Sequence, residues 1–431
     1  MPIPTVSLKR IAAALSVFAA ILCQAQTDLK EISGNLDRAG GIYYAYPVSE
    51  SLNTPAPKGY EAFYISHYGR HGSRYLISDN DYRNVIDLFE KADSAKALSG
   101  LGKDILARLQ NVWEEARGRG GELTPLGHRQ HRNIARRMYK AFPGAFAGKP
   151  ALSARSTVVM RCAHSMNSFC EGLKEMNPSL EIPRESSERN MYYLNYHSPQ
   201  SNYFTRHRGP WYEENRKFEQ AMTNPDRLVG SLFSDSLFVL RNVNPHELMW
   251  GLYWVAVDMQ NMECDERFTD IFTPEELFDL WRSFNYSFYV RNSNHPMAHG
   301  MLLDNAKPLL RNILSCADAV IERHGNGGDF RFGHDGNLIP LAGLLHIENC
   351  DAACDDPYRL HEVYSDFKIS PMAGNIQIVF FRNKSGDVLV KFMLNEREVK
   401  VPVTTDCAPF YHWKDVKDYY NSILDNPDYG I

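Results

Sequence analysis

The stretch from Ala62 to Tyr75 constrains this chain more than any other. Ala62 to Ser66 is apolar or β-prone and reads as a buried strand. Gly69 and Gly72 then predict a tight turn whose backbone comes close to a neighbour. In that turn Arg70 and Arg74 flank His71. Guanidinium groups carry planar donor forks that suit phosphate oxygens. An imidazole between two of them is placed to attack phosphorus as well as to hold an anion. Taken alone, the stretch also reads as a basic surface loop, so the rest of the chain has to decide.

Two further strand–turn–helix units have polar turns. Ser156 to Met160 is a β-rich run ending at Arg161, and a helix is expected from about Ala163 to Leu173. Asp329 to Phe332 predicts a short strand, Gly333-His334-Asp335-Gly336 a turn, and Leu338 to Leu345 a buried helix. In open α/β sheets such turns gather at the carboxyl ends of the strands, where ligands bind. The helices that start there add free N–H groups and partial positive charge. Between the first two units, Thr124 is a good N-cap and Pro125 suits the first position of a helix reaching about Phe142. His128 and His131 lie one turn apart on it. With no third ligand nearby they read as a polar face rather than a metal pair.

The chain has 431 residues, room for a large α/β domain with an insertion. Residues 1–25 read as an export leader: Lys9 and Arg10, an apolar run from Ile11 to Leu22, then small residues that place cleavage after Ala25. A lipid anchor on Cys23 is the alternative, disfavoured by the bulk of Leu22. No later run is long and apolar enough for a stable membrane span. The protein is therefore expected to be exported, periplasmic or extracellular. The leader holds two of the 47 basic residues and none of the 52 acidic ones, so the mature chain is more acidic than the formal charge of −5. That argues against a nucleic-acid partner. Export permits disulfides, and the Cys350/Cys354 spacing fits a small closed loop; the connectivity stays open.

Residues 26–176 and 300–431 are expected to form the α/β core, and 177–299 an inserted, mainly helical cap. Within the cap Thr273-Pro274-Glu275-Glu276 is a capping box. Leu277, Leu280, Trp281, Phe284 and Phe288 follow it at helical spacing as core. Asn375 to Phe381 and Val388 to Leu394 read as two antiparallel strands.

The Arg-His-Gly-Ser-Arg run at 70–74, the Leu-Thr-Pro-Leu-Gly segment at 123–127, Arg161 and the His334-Asp335 pair stand in an order that resembles the histidine acid phosphatases. These are branch 2 of the histidine phosphatase superfamily. The resemblance implies an α/β fold: a Rossmann-like mixed sheet flanked by helices, with the helical cap inserted. It implies that His71 is the nucleophile, forming a phosphohistidine. Arg70, Arg74, Arg161 and His334 would hold the phosphoryl oxygens, and Asp335 would protonate the leaving oxygen. The substrate would be a small-molecule phosphomonoester, with no cofactor and no metal. A carboxyl beside an incoming phosphate has a like charge as neighbour, so Asp335 is expected neutral and the pH optimum acidic. The Arg74-Tyr75 ending, Arg161-Cys162 and Leu394-Asn395-Glu396-Arg397 lean toward the multiple inositol polyphosphate phosphatases. That group typically has His-Ala-Glu where this chain has His334-Asp335-Gly336; His-Asp is the form in broad acid phosphatases, glucose phosphatases and bacterial phytases. A broad acid or sugar phosphatase therefore stays open beside an enzyme acting on phytate. A non-catalytic binding protein for phosphorylated sugars is the reading from another class, and it would not need His71 and Asp335. Oligomeric state is not readable.

Overall fold

Alternating strands and helices build a layered α/β core. The computed structural model describes residues 26–48, 53–206 and 208–426; the leader, its cleavage point and Cys23 lie outside them. The strands are β1 (Glu61–Arg70), β2 (Ala151–Ser156), β3 (Arg184–Ser186), β4 (Gly327–Gly333), β5 (Asn375–Arg382), β6 (Val388–Leu394), β7 (Arg397–Glu398) and β8 (Tyr411–His412). They form one sheet in the order β3-β2-β4-β1-β5-β6-β7, with β8 on β6. The half containing β3, β2, β4 and β1 is parallel. From β5 onward the pairing is antiparallel. The central strands are buried along nearly their whole length, as a sheet covered on both faces requires.

The helices that matter here are α1 (Asp79–Ser94), α2 (Gly100–Ala116), α3 (Pro125–Ala141), α4 (Met160–Met176), α5 (Pro245–Asp258), α6 (Pro274–Asn292), α7 (Lys307–Glu322), α8 (Asp335–Leu344) and α9 (Trp413–Asp425). The capping signals act where expected. Thr124 accepts from the Gly127 N–H at the start of α3, and Thr273 and Glu276 close a reciprocal box at the start of α6. Leu277, Leu280 and Trp281 are fully buried on α6, with Phe284 and Phe288 packed against the same core.

That core is not drawn from one stretch. Tyr82, Val85 and Phe89 of α1 and Leu106 and Leu109 of α2 pack with Leu252 and Tyr253 of α5 and Trp281 of α6. Ala39, Ile42 and Tyr43 from the N-terminal segment join them. In the other direction β3, inside the 177–299 stretch, pairs with β2 in the sheet. Among the described residues no helix is long and apolar enough to cross a membrane.

Local details depart from expectation. The first strand runs on to Arg70, so Gly69 is inside β1 rather than in the turn. There a Cβ would lie 2.7 Å from the His67 ring on the same face. The second strand ends at Ser156, and Arg161 sits in the first turn of α4 instead of before it. The described cysteines are all unpaired, which corrects the disulfide expectation. The Cys350 and Cys354 thiols turn to different backbone carbonyls, those of Glu348 and Asp356.

Candidate active site

Strand register brings the polar turns to one level. Arg70 pairs with Gly333 across β1 and β4, and Ser156 pairs with Phe332 across β2 and β4. The ladder continues one step past the strands: the His71 N–H donates to the Gly333 carbonyl at 3.0 Å, and the Thr157 N–H to the Phe332 carbonyl at 3.0 Å. The turn at 71–74 is then clamped from α3 and α4. A Cβ on Gly72 would fall 2.7 Å from the backbone of Gly127, so both positions need glycine for loop and helix to meet. The Gly72 N–H donates to the Ser165 hydroxyl of α4 at 3.0 Å. The Ser73 N–H donates to the Gln130 side chain of α3 at 2.8 Å. The Ser73 hydroxyl donates to Asn261 at 2.7 Å and accepts from Gln130 at 2.8 Å.

His71 is buried, and its Nδ1 lies 2.9 Å from the Gly72 carbonyl. A carbonyl only accepts, so Nδ1 carries the proton and Nε2 keeps its lone pair. Burial first, then the like charges of Arg70, Arg161 and Arg74, hold the His71 pKa well below 6.5. The ring is therefore held neutral where a free imidazole begins to take up its proton. Its centroid is 5.9 Å from that of His334. His334 is held by Thr157 at 3.2 Å and is pushed down to about 4, mainly by burial.

The arginines are anchored from behind. Arg70 is fully buried and one end of its fork donates to the carbonyls of Ile42 and Ser370. Arg74 donates to the Tyr75 carbonyl at 2.8 Å and to the Tyr43 hydroxyl at 3.1 Å, and lies over the Tyr43 ring. What remains is a set of buried donors without a hydrogen-bond partner among the described residues: Nε of Arg70, Arg74 and Arg161, and Nη2 of Arg70. Arg70 Nη2 does lie 2.9 Å from an Asp335 oxygen, an ion pair whose N–H is not directed at the carboxylate. Convergent, fixed, unpaired cationic donors are what a tetrahedral oxyanion would complete.

Asp335, expected neutral beside a bound phosphate, is here described without one. Burial works to raise its pKa, but Arg70, then His334 and Arg74, together hold it below the ordinary carboxylate value. In the ligand-free site it is ionised, not neutral. The pair at 128 and 131 needs correction. His131 is fully buried against Phe332 with neither ring nitrogen hydrogen-bonded, and burial takes it down to about 3. Only His128 is on the outer part of that face, bonded to Ser168. Sequence reasoning also missed the loop's holders, Tyr43, Gln130, Ser165 and Asn261. Ser165, one turn after Arg161, carried the only local hint. Cys162 is a support rather than a reagent: its thiol donates to the Gly333 carbonyl and burial pushes it up to about 12.

Residues 69–395 match the model of the histidine phosphatase superfamily, branch 2. Over 119 residues the chain is 32% identical to multiple inositol polyphosphate phosphatase 1 of Gallus gallus; the match spans 28% of this chain and only 25% of that relative. In fold it is similar to the Bifidobacterium longum multiple inositol polyphosphate phosphatase crystallised with inositol hexasulfate. That comparison has TM-score 0.72 and 17% identity, covering 89% of this chain and 97% of the other. A phytase from D. castellii gives TM-score 0.65 at 16% identity, over 91% and 86% of the two chains.

Proposed function

Since the chain belongs to branch 2 of the histidine phosphatase superfamily, we propose that it hydrolyses phosphate monoesters through a phosphohistidine on His71. The observation that carries this is the state of His71: proton on Nδ1, lone pair on Nε2, a neutral ring among fixed cations. A binder of phosphate has no use for a neutral, nucleophilic imidazole there. In the reading, Arg70, Arg74, Arg161 and His334 take the phosphoryl oxygens. Nε2 attacks phosphorus, the P–O ester bond breaks, and its electron pair leaves on the alcohol oxygen, which takes a proton from Asp335. Water then attacks the phosphohistidine, giving a proton back to Asp335 and releasing phosphate.

The ionised state of Asp335 fits this scheme. An arriving phosphate competes for Arg70 and adds a like charge, and both changes raise the Asp335 pKa. A monoester whose second pKa is about 6 brings the proton with it when monoanionic.

The substrate class is read as inositol polyphosphates such as phytate, supported by the Gallus gallus and Bifidobacterium longum relatives; a broad acid or sugar phosphatase is the alternative. The leader at 1–25 supports export. The segment 177–299 is read as a cap over the core formed by 26–176 and 300–431, sharing its apolar interior with α1 and α2. The test is hydrolysis of p-nitrophenyl phosphate at about pH 5 in chelator, with acid-quench trapping of labelled phosphate. Turnover with label on histidine is expected. No turnover, or label on serine or cysteine, sinks the mechanism.

A further inference from the structure

The two carbonyls behind Arg70 lead back to one residue. Arg70 Nη1 donates to the carbonyls of Ile42 and Ser370, the latter at 2.9 Å. The Ile42 N–H donates in turn to Asp366 Oδ2 at 3.2 Å. The Ser370 N–H donates to the Asp366 carbonyl at 2.8 Å. Two segments far apart in the chain thus meet at Asp366, and each passes its other peptide group to Arg70.

Asp366 is fully buried and is itself held from a third side. Its Oδ1 accepts from the Trp281 indole N–H at 3.1 Å and from the Phe367 N–H at 2.8 Å. Its own N–H donates to the Asn285 side chain at 3.0 Å. Trp281 and Asn285 stand one turn apart on one face of α6. Gly41 permits the close approach of the Ile42 segment. Its φ is +56°, and a Cβ there would lie 2.5 Å from Asp366 Oδ2. A buried carboxylate is costly unless donors surround it, and here backbone and indole N–H groups do so. Burial pushes its pKa up to about 6, against the N–H groups of Trp281, Phe367 and Ile42 and the charge of Arg70.

We propose that Asp366 is a positioning residue for Arg70. It locks the two carbonyls that hold one end of the guanidinium and ties both to α6. The seating of that helix then sets the aim of the Arg70 donors left for phosphoryl oxygens, Nε and Nη2. The inference rests on the phosphatase reading above.

The test measures kcat and KM on p-nitrophenyl phosphate and the Ki of inorganic phosphate, the competing product. It is run at about pH 7, where the Asp366 carboxylate is ionised. The full chain is compared with Asp366→Asn, Trp281→Phe and Leu252→Ala, with urea unfolding of each. An amide keeps the size of the carboxylate but turns an NH2 toward one of its N–H donors. Asp366→Asn should raise the phosphate Ki about tenfold and lower kcat/KM at least as much, as for weakening a charge-assisted hydrogen bond. Trp281→Phe removes the indole N–H and should raise Ki by a smaller factor, about threefold. Leu252→Ala opens space in the same core from α5 and should lower the urea midpoint with Ki unmoved. Loss of folded protein scales kcat and leaves KM and Ki alone, so Ki separates positioning from stability. If Asp366→Asn does not fold, Trp281→Phe decides on the same readings. A Ki unmoved by these substitutions, or raised as much by Leu252→Ala, overturns the positioning role while leaving the phosphatase intact. A wild type that does not turn over the substrate overturns the underlying reading, and the positioning role with it.

Discussion

Two groups of buried polar side chains lie a few residues apart in this protein and are built in opposite ways. In the cradle, Arg70, Arg74 and Arg161 each keep at least one buried N–H without a partner. Just behind it, the side chains that hold the loop leave little unused. Ser73 bonds Asn261 and Gln130, Asn261 donates to the Tyr43 carbonyl at 2.9 Å, and Tyr82 donates to Asp258 at 2.6 Å. Buried polar groups are ordinarily bonded. A cluster of cationic exceptions therefore marks a place for ligand oxygens, and a saturated network marks a support. Lack of partners is not enough by itself. His67 and His131 are also unbonded, but burial holds each below its ordinary pKa, against Phe169 and Phe332. Charge and convergence make the difference.

The comparison predicts that damage to the cradle costs rate and damage to the support costs stability. The largest effect should come from His71→Ala. Without a nucleophile, turnover should fall by about 10⁴-fold or more, while the urea midpoint stays within error of wild type. A parallel loss of stability would put His71 in the support.

Asp335→Asn should come next. It should lose about 10²- to 10⁴-fold on alkyl phosphates, the usual worth of a general acid. The loss on p-nitrophenyl phosphate should be much smaller, because that leaving group needs no proton. Equal losses on both substrates would make Asp335 a positioning group for Arg70.

The pH profile of kcat/KM sharpens the same point. Asp335 is depressed in the free protein, so above its pKa the site lacks a proton that only the monoanionic ester brings. Activity on alkyl phosphates should fall about tenfold per pH unit above about pH 6. On the acid side His71, held well below 6.5, should stay nucleophilic, so no matching loss is expected near pH 5. Measurement from pH 4 to 8 checks this, and activity rising through pH 7 would require a different donor.

Ser73→Ala should have the smallest effect on rate. It strands Asn261 and Gln130 and should lower stability by about 1–3 kcal/mol. Urea unfolding beside kcat separates the two effects. A large loss of kcat at unchanged stability would erase the distinction drawn here.

Much of the chemistry was legible in the chain because it is written locally. Arginine and histidine in the turn at 70–74, Thr124-Pro125 opening α3, the box at 273–276 and the two late strands all depend on near neighbours in sequence. Caps and periodicity act within a turn or a strand, so they survive without a tertiary context. What the turns meet was not legible. Ser73 and Asn261 are 188 positions apart, and Arg70 reaches the Ser370 carbonyl 300 positions away. Whether His131 faces solvent or Phe332, whether α1 packs on the sheet or on α5, and whether Asp335 is neutral or paired with Arg70 are decided by such contacts. Burial and ion pairing set a pKa, and both are properties of the assembled neighbourhood. The sequence alone determined which groups stand at the strand ends; the tertiary structure decided their charge and their orientation.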